Sequence, residues 1–249
     1  MQTRLRKEQR GNWIGSYWQG EHLTLFFHGN PWEDYFFEFI RIISEPDISG
    51  VLISLEFHGP DEGINGTRNW DFSVFLQQDI SFPHLKRFIV AISKPSDHNR
   101  SIIGEDYEEN GQLAMLLNYM PSLVLFAAPS APNADFFART KHPLERLFVG
   151  CGYDHQDFIL NLSQATCFPV LSVFGFNDFS EFYLSDWREL CVPFNHYQAL
   201  FQALHIPEWR YFSLTSSLLT REERDALHAL RPELQFFCSD LRKYHEPTN

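Results

Sequence analysis

The chain has 249 residues, 44% of them apolar, which is enough for one large domain, two small ones or a stack of repeats and too much for a disordered or collagen-like chain. Twenty Lys and Arg against 32 Asp and Glu leave a net charge of −12, so phosphate backbones and anionic lipid surfaces are repelled on average. No apolar run reaches the roughly 18 to 20 residues that span a bilayer, and the first twenty residues hold no secretory h-region, so the expectation is a cytoplasmic protein that binds neither nucleic acid nor membrane.

Phenylalanine is the compositional outlier, with 25 copies beside six Trp and nine Tyr. Residues 1–22 read as an N-terminal extension, 23–240 as a single domain and 241–249 as a tail. Along that domain one apolar spacing recurs, with positions 0, +3 and +5 filled. It opens weakly at Leu23 and Phe26, with His28 in the third slot, and returns at Leu52, Leu55 and Phe57. A proline then joins the pattern in Phe82-Pro83-His84-Leu85, which leads to Phe88 and Val90. Met120-Pro121-Ser122-Leu123 leads to Phe126 and Ala128, His142-Pro143-Leu144 to Leu147 and Val149, and Phe168-Pro169-Val170-Leu171 to Phe174 and Phe176. Ile206-Pro207-Glu208-Trp209 leads to Phe212 and Leu214, and Arg231-Pro232-Glu233-Leu234 to Phe237. These are eight candidate strands, starting at 23, 52, 85, 123, 144, 171, 209 and 234.

Side chains alternate along a strand, so positions +3 and +5 share one face, while the leading apolar residue belongs to the turn entering the strand. Helix-like stretches fall between, at 32–43, 72–79, 110–119, 154–162, 196–204 and 221–230. The last opens with Thr220 and Glu223 in capping-box spacing and ends before Arg231-Pro232. Asp154 stands at the N-cap position of the fourth. Strand and helix in alternation imply parallel strands joined by crossovers.

Leu52-x-x-Leu55-x-Phe57, Leu144-x-x-Leu147-x-Val149 and Trp209-x-x-Phe212-x-Leu214 resemble the leucine-rich repeat signature, over about residues 23–238. The stretches HPLERLFVGCGYDHQDFILNLSQATCFPVLSVFGF and LTREERDALHALRPELQFF are similar to a group of bacterial leucine-rich-repeat-like proteins, a resemblance that implies no particular activity. It implies an α/β fold, an irregular Phe-packed solenoid of about eight parallel strands with helices on the convex side. The Asn or Cys that usually follows the signature is missing from most units. The competing architecture is a doubly wound α/β domain.

In the repeat frame, positions +2, +4 and +6 point onto the open sheet face, the usual binding surface of such folds. The candidate protein-binding residues are Glu56, His58, Arg87, Arg146, Phe148, Asn177 and Tyr211, and Phe236 and Asp240 follow from the same count in the last unit. Two insertions, 93–112 and 177–195, add acidic and aromatic groups. The expected function is therefore non-catalytic protein binding, in an adaptor or antitoxin-like role, with a basic surface the natural complement of the acidic charge. No cofactor or metal is implied, and the four cysteines, Cys151, Cys167, Cys191 and Cys238, are spaced as reduced buried thiols. The alternative is an α/β enzyme, such as a metal-dependent hydrolase, sited near His58, Asp61, Glu62 and His155. No H-E-x-x-H, G-x-S-x-G, Walker or G-x-G-x-x-G motif supports it, which weighs against catalysis without closing the question.

Overall fold

The computed structural model describes residues 6–9, 12–63, 65–76, 80–94, 97–179, 186–203, 206 and 209–239. Its strands are β1 (Arg6–Gln9), β2 (Asn12–Gln19), β3 (His22–His28), β4 (Leu52–His58), β5 (Gly66–Trp70), β6 (Arg87–Val90) and β7 (Asn99–Ile103). They continue with β8 (Leu125–Ala128), β9 (Arg146–Gly150), β10 (Val173–Asn177), β11 (Tyr211–Thr215) and β12 (Gln235–Ser239). Ten of them form one sheet in the order β1-β2-β3-β4-β6-β8-β9-β10-β11-β12. The hairpin β1-β2-β3 is antiparallel, and every pairing from β3 onward is parallel. The fold is thus α/β with a large, mostly parallel sheet in which each strand after β3 lies beside its predecessor. Two exceptions, β5 and β7, pair with each other in a separate parallel ribbon. The stretch 12–19, within the expected N-terminal extension, contributes β2 to the main sheet.

The helices are α1 (Asp34–Ile43), α2 (Pro46–Ser49), α3 (Ser73–Leu76), α4 (Gln112–Tyr119), α5 (Phe158–Gln164), α6 (Trp187–Leu190), α7 (Phe194–Gln202) and α8 (Arg221–Leu230), with a 3-10 turn at Ala134–Phe137. Thr220 and Glu223 close the capping box of α8 as their spacing predicts. The helix expected at 154–162 starts later, because Gln156 and Asp157 hold φ of 51° and 50°, outside the helical region. Asp154 consequently is not the N-cap: its Oδ1 accepts from the backbone N–H of Gln156 in a local turn.

The recurrent proline has a common structural cause. Leu85, Leu123, Leu171 and Leu234 each donate a backbone N–H to the residue three places earlier, Phe82, Met120, Phe168 and Arg231, with Pro at the second position of the turn. Beyond the turn, two successive N–H groups reach one carbonyl of the neighbouring unit: Val124 and Leu125 on Lys86, Glu145 and Arg146 on Val124, Ser172 and Val173 on Glu145, Arg210 and Tyr211 on Ser172. This doubled contact sets the offset of three between the turn residue and the first core residue of the strand.

In register across the sheet stand Leu55, Phe88, Phe126, Leu147, Phe174, Phe212 and Phe236, all buried except Phe236, which is half-buried. Among the described residues the helical rings in contact with the sheet meet this face: Phe36 and Phe39 of α1 against Phe57, Phe136 against Phe126, Phe158 of α5 against Phe174, and Phe201 of α7 against Phe212. Six units match the predicted register and the two terminal ones do not. In β3 the alternation begins at Leu23 itself, so Leu25 and Phe27 are buried while Phe26 and His28 face the other way. In β12 only Gln235 donates to Arg210, the doubled contact is lost, and Phe236 takes the core position. Phe236, expected on the open face, therefore packs on Phe201 and Phe212, and Phe237 is 56% exposed. Asp240 lies outside the described residues.

Candidate functional site

Opposite the helices, one row across the sheet reads Glu56, Ile89, Ala127, Phe148, Gly175, Ser213 and Phe237, and the next reads Ser54, Arg87, Leu125, Arg146, Val173, Tyr211 and Gln235. Arg87, Arg146 and Phe237 are exposed, and Ile89, Leu125, Phe148, Val173 and Tyr211 are half-buried. Parallel sheets are ordinarily covered on both faces, so a half-solvated face is a departure that needs an explanation.

The expected binding residues divide into three groups on this face. Glu56, His58 and Arg87 come together: Arg87 Nη2 donates to Glu56 Oε1 at 3.1 Å and His58 Nε2 lies 3.5 Å from Glu56 Oε2. Arg146, Phe148 and Tyr211 lie along the centre of the sheet. Asn177 ends β10, where its side chain accepts from Thr215 Oγ1 at 2.7 Å and Ser216 Oγ at 3.2 Å and donates to the carbonyl of Ser93 at 3.3 Å. It thus ties the loop after β6 to the sheet.

The residues of the alternative enzyme site have separate partners. His98 Nδ1 lies 3.1 Å from both Asp61 oxygens, and that contact, with the N–H of Gly63, holds the Asp61 carboxyl below its ordinary pKa. Glu62 accepts from Asn30 at 2.8 Å, while His155 accepts from the N–H of Asp157 at 3.1 Å. Arg68, buried and with its pKa lowered by that burial, donates to Asn30 Oδ1 and to the carbonyl of Pro60, tying the loop after β4 to β5. Among the described residues, no three His, Cys, Asp or Glu side chains gather as a metal-holding group.

A second polar centre was not singled out by sequence. It lies at the carboxyl ends of β8 to β11, under the loop that carries β7, the usual place for ligands in α/β folds. Arg100 of β7 is buried there: its Nη2 donates to the carbonyl of Gly152 and to Cys151 Sγ, and its guanidinium lies 5.2 Å from the Tyr153 ring centroid and 5.5 Å from that of Phe179. Asp178 is equally buried and accepts from the N–H of Phe179 at 2.8 Å and from Tyr197 Oη at 2.9 Å. Burial outweighs those donors and pushes its carboxyl up to about 7. Burial also drives the Cys151 thiol up to about 12 and the Cys191 thiol higher still, so neither is a thiolate nucleophile at neutral pH.

Two adjoining cavities open here, sharing Ile92, Ser93, Lys94 and Asn177 as walls. The smaller, about 40 Å³, is lined by Arg100, Cys151 and Asp178. The larger, about 360 Å³, lies over Phe148, Gly175, Ser213 and Thr215. The sequence signal for this centre was the position of Cys151 and Asp178 directly after strands; Arg100, in an insertion, carried none. Among the described residues no helix is long and apolar enough to cross a membrane. No protein-family model, curated protein or solved structure matches the chain.

Proposed function

We propose that this chain is an irregular leucine-rich-repeat-like solenoid whose function is to bind another protein on the helix-free face of its sheet. The observation that carries this reading is the half-solvated parallel sheet face with Ile89, Leu125, Phe148, Val173, Tyr211 and Phe237, in which Arg87 and Arg146 flank Leu125. Apolar and aromatic groups interspersed with Arg form the usual composition of an interface centre. At the carboxyl edge of the same sheet, the loops after β4, β7 and β9 expose Asp61, Glu62, Glu105, Asp106, Glu108 and Asp154. Those acids favour a partner with a basic rim, in agreement with the net charge of −12. A reduced intracellular setting suits the four free cysteines.

Affinity capture from the native host with the wild type, the pair Leu125→Glu and Phe237→Glu, and the control Glu222→Lys on α8 tests the reading. The expected result is one stoichiometric protein that the face variant loses and the control retains. Capture that is indifferent to the face variant, or no capture at low salt, removes the reading.

A further inference from the structure

The paired cavities at the carboxyl ends of β8 to β11 have features that a protein-docking face does not require. Gly175 lies beneath the larger one, with the Phe148 ring and the Ser213 hydroxyl closed over it: a Cβ at this position would stand 2.6 Å from Phe148 Cδ1 and 2.8 Å from Ser213 Oγ. That cavity is bounded by the Phe148 ring, the backbone of Gly175 and the side chains of Ser213, Thr215 and Ser239. At about 360 Å³ it lies at the lower end of the range of small-molecule sites.

The smaller cavity supplies charge. Arg100 is 9% exposed, and among the described residues no Asp or Glu stands within ion-pair distance of it. Among the described residues this buried guanidinium is held by one carbonyl, one thiol and two ring faces, which leaves N–H donors that an anion would engage. Lys94 adds a second cation on the shared wall, exposed and without a side-chain partner among the described residues. Two acids are nearby. Asp97 is turned to the backbone N–H of Lys94 at 2.8 Å, and the oxygens of Asp178 are engaged by Tyr197, Phe179 and Val192.

We propose that this double cavity binds a small organic monocarboxylate, its carboxylate beside Arg100 and Lys94 and its apolar body in the larger cavity beside Phe148. The planar fork of Arg matches a carboxylate, and about 40 Å³ beside it suits a single such group. The hydroxyls of Ser93 and Ser213 and the amide of Asn177 line the path between head and body.

Isothermal titration of the full chain with benzoate, phenylacetate and octanoate, their neutral amides, and inorganic phosphate tests the proposal. At least one carboxylate is expected to bind saturably below the millimolar range, with its amide weaker by about tenfold or more, because the amide loses the charge-assisted bonds. Lys94→Gln is expected to weaken that carboxylate by about threefold to tenfold. Ser213→Leu, which extends an apolar side chain into the larger cavity, should abolish binding while leaving the thermal melt in place. Arg100→Gln is the direct variant, but its burial makes folding part of the outcome, so Lys94→Gln and Ser213→Leu decide. Equal binding of carboxylate and amide, binding of phosphate alone, no saturable binding of any of the three acids, or binding unchanged in both variants overturns the proposal.

Discussion

The rings of Phe174 and Phe212, on neighbouring strands β10 and β11, are stacked with centroids 5.0 Å apart and planes within 3° of parallel. Strands spaced by about 4.8 Å and paired in register hold like side chains at stacking distance. Phe88 on Phe126 and Phe212 on Phe236 repeat the relation. This is what the surplus of phenylalanine builds. Phe174→Ala is expected to cost about 3 to 5 kcal/mol, and Phe174→Leu, like the Leu147 beside it, less than about 2. Urea denaturation separates them, and equal losses would deny the stack its role.

Leu147 and Phe148 are adjacent and face opposite ways, the first fully buried and the second half-buried on the open face. Leu147→Ala should lower stability by about 2 to 5 kcal/mol through lost burial and a cavity. Phe148→Ala should change the melt little, since its ring lies half-buried on the helix-free face, and should instead weaken whatever occupies the face or the larger cavity. If the two melts fall together, the open face is covered and the interface reading loses its basis.

Asp178 makes stability depend on pH in an unusual direction. Its folded pKa, about 7, lies above the ordinary 3.8, so between those values the folded chain keeps a proton that the unfolded chain has released. The associated stability is present in full below about 3.8 and is lost as pH rises through about 7. The loss reaches up to about 4 kcal/mol by mildly alkaline pH. Asp178→Asn cannot ionise, so its stability should be flatter over this range and should overtake the wild type at high pH. Denaturation midpoints of both proteins at pH 5 and 8 check this, and parallel profiles would contradict it.

Arg231, just beyond α8, closes the end of another helix. Its guanidinium donates to the carbonyls of Phe201, Ala203 and Ile206 around the C-terminus of α7 and lies 5.4 Å from the Trp209 ring centroid. Arg231→Met leaves buried carbonyls without donors and should cost about 2 to 4 kcal/mol. Arg231→Lys should recover part of it, because an ammonium cannot serve three carbonyls in a fork. Thermal melts of both variants provide the comparison, and full recovery by Lys would reduce the contact to charge alone.

The local pattern determined the strands and the turns that enter them. Pro at the second position of a turn and apolar residues three and five places past its leading residue are short-range requirements, and eight parallel strands stand where that spacing predicts them. Register at the two ends was decided elsewhere. Phe26 and Phe237 fit the spacing by sequence, yet β3 enters from an antiparallel hairpin and β12 lacks the doubled backbone contact of the inner units, so Leu25, Phe27 and Phe236 take the core positions. The acids and histidines after β4 were visible as residue types, but Asp61 pairs with His98 and Glu62 with Asn30, partners 37 and 32 residues away. Least legible was the centre around Arg100. Its guanidinium meets Cys151 and Gly152 across 51 and 52 positions, and the cavity beside it is walled by Lys94, Pro129, Asn177 and Ser216 from four separate segments. A spacing rule reports which residues share a face within one strand. Only the stacking of separate units decides which charge is buried and where space is left beside it.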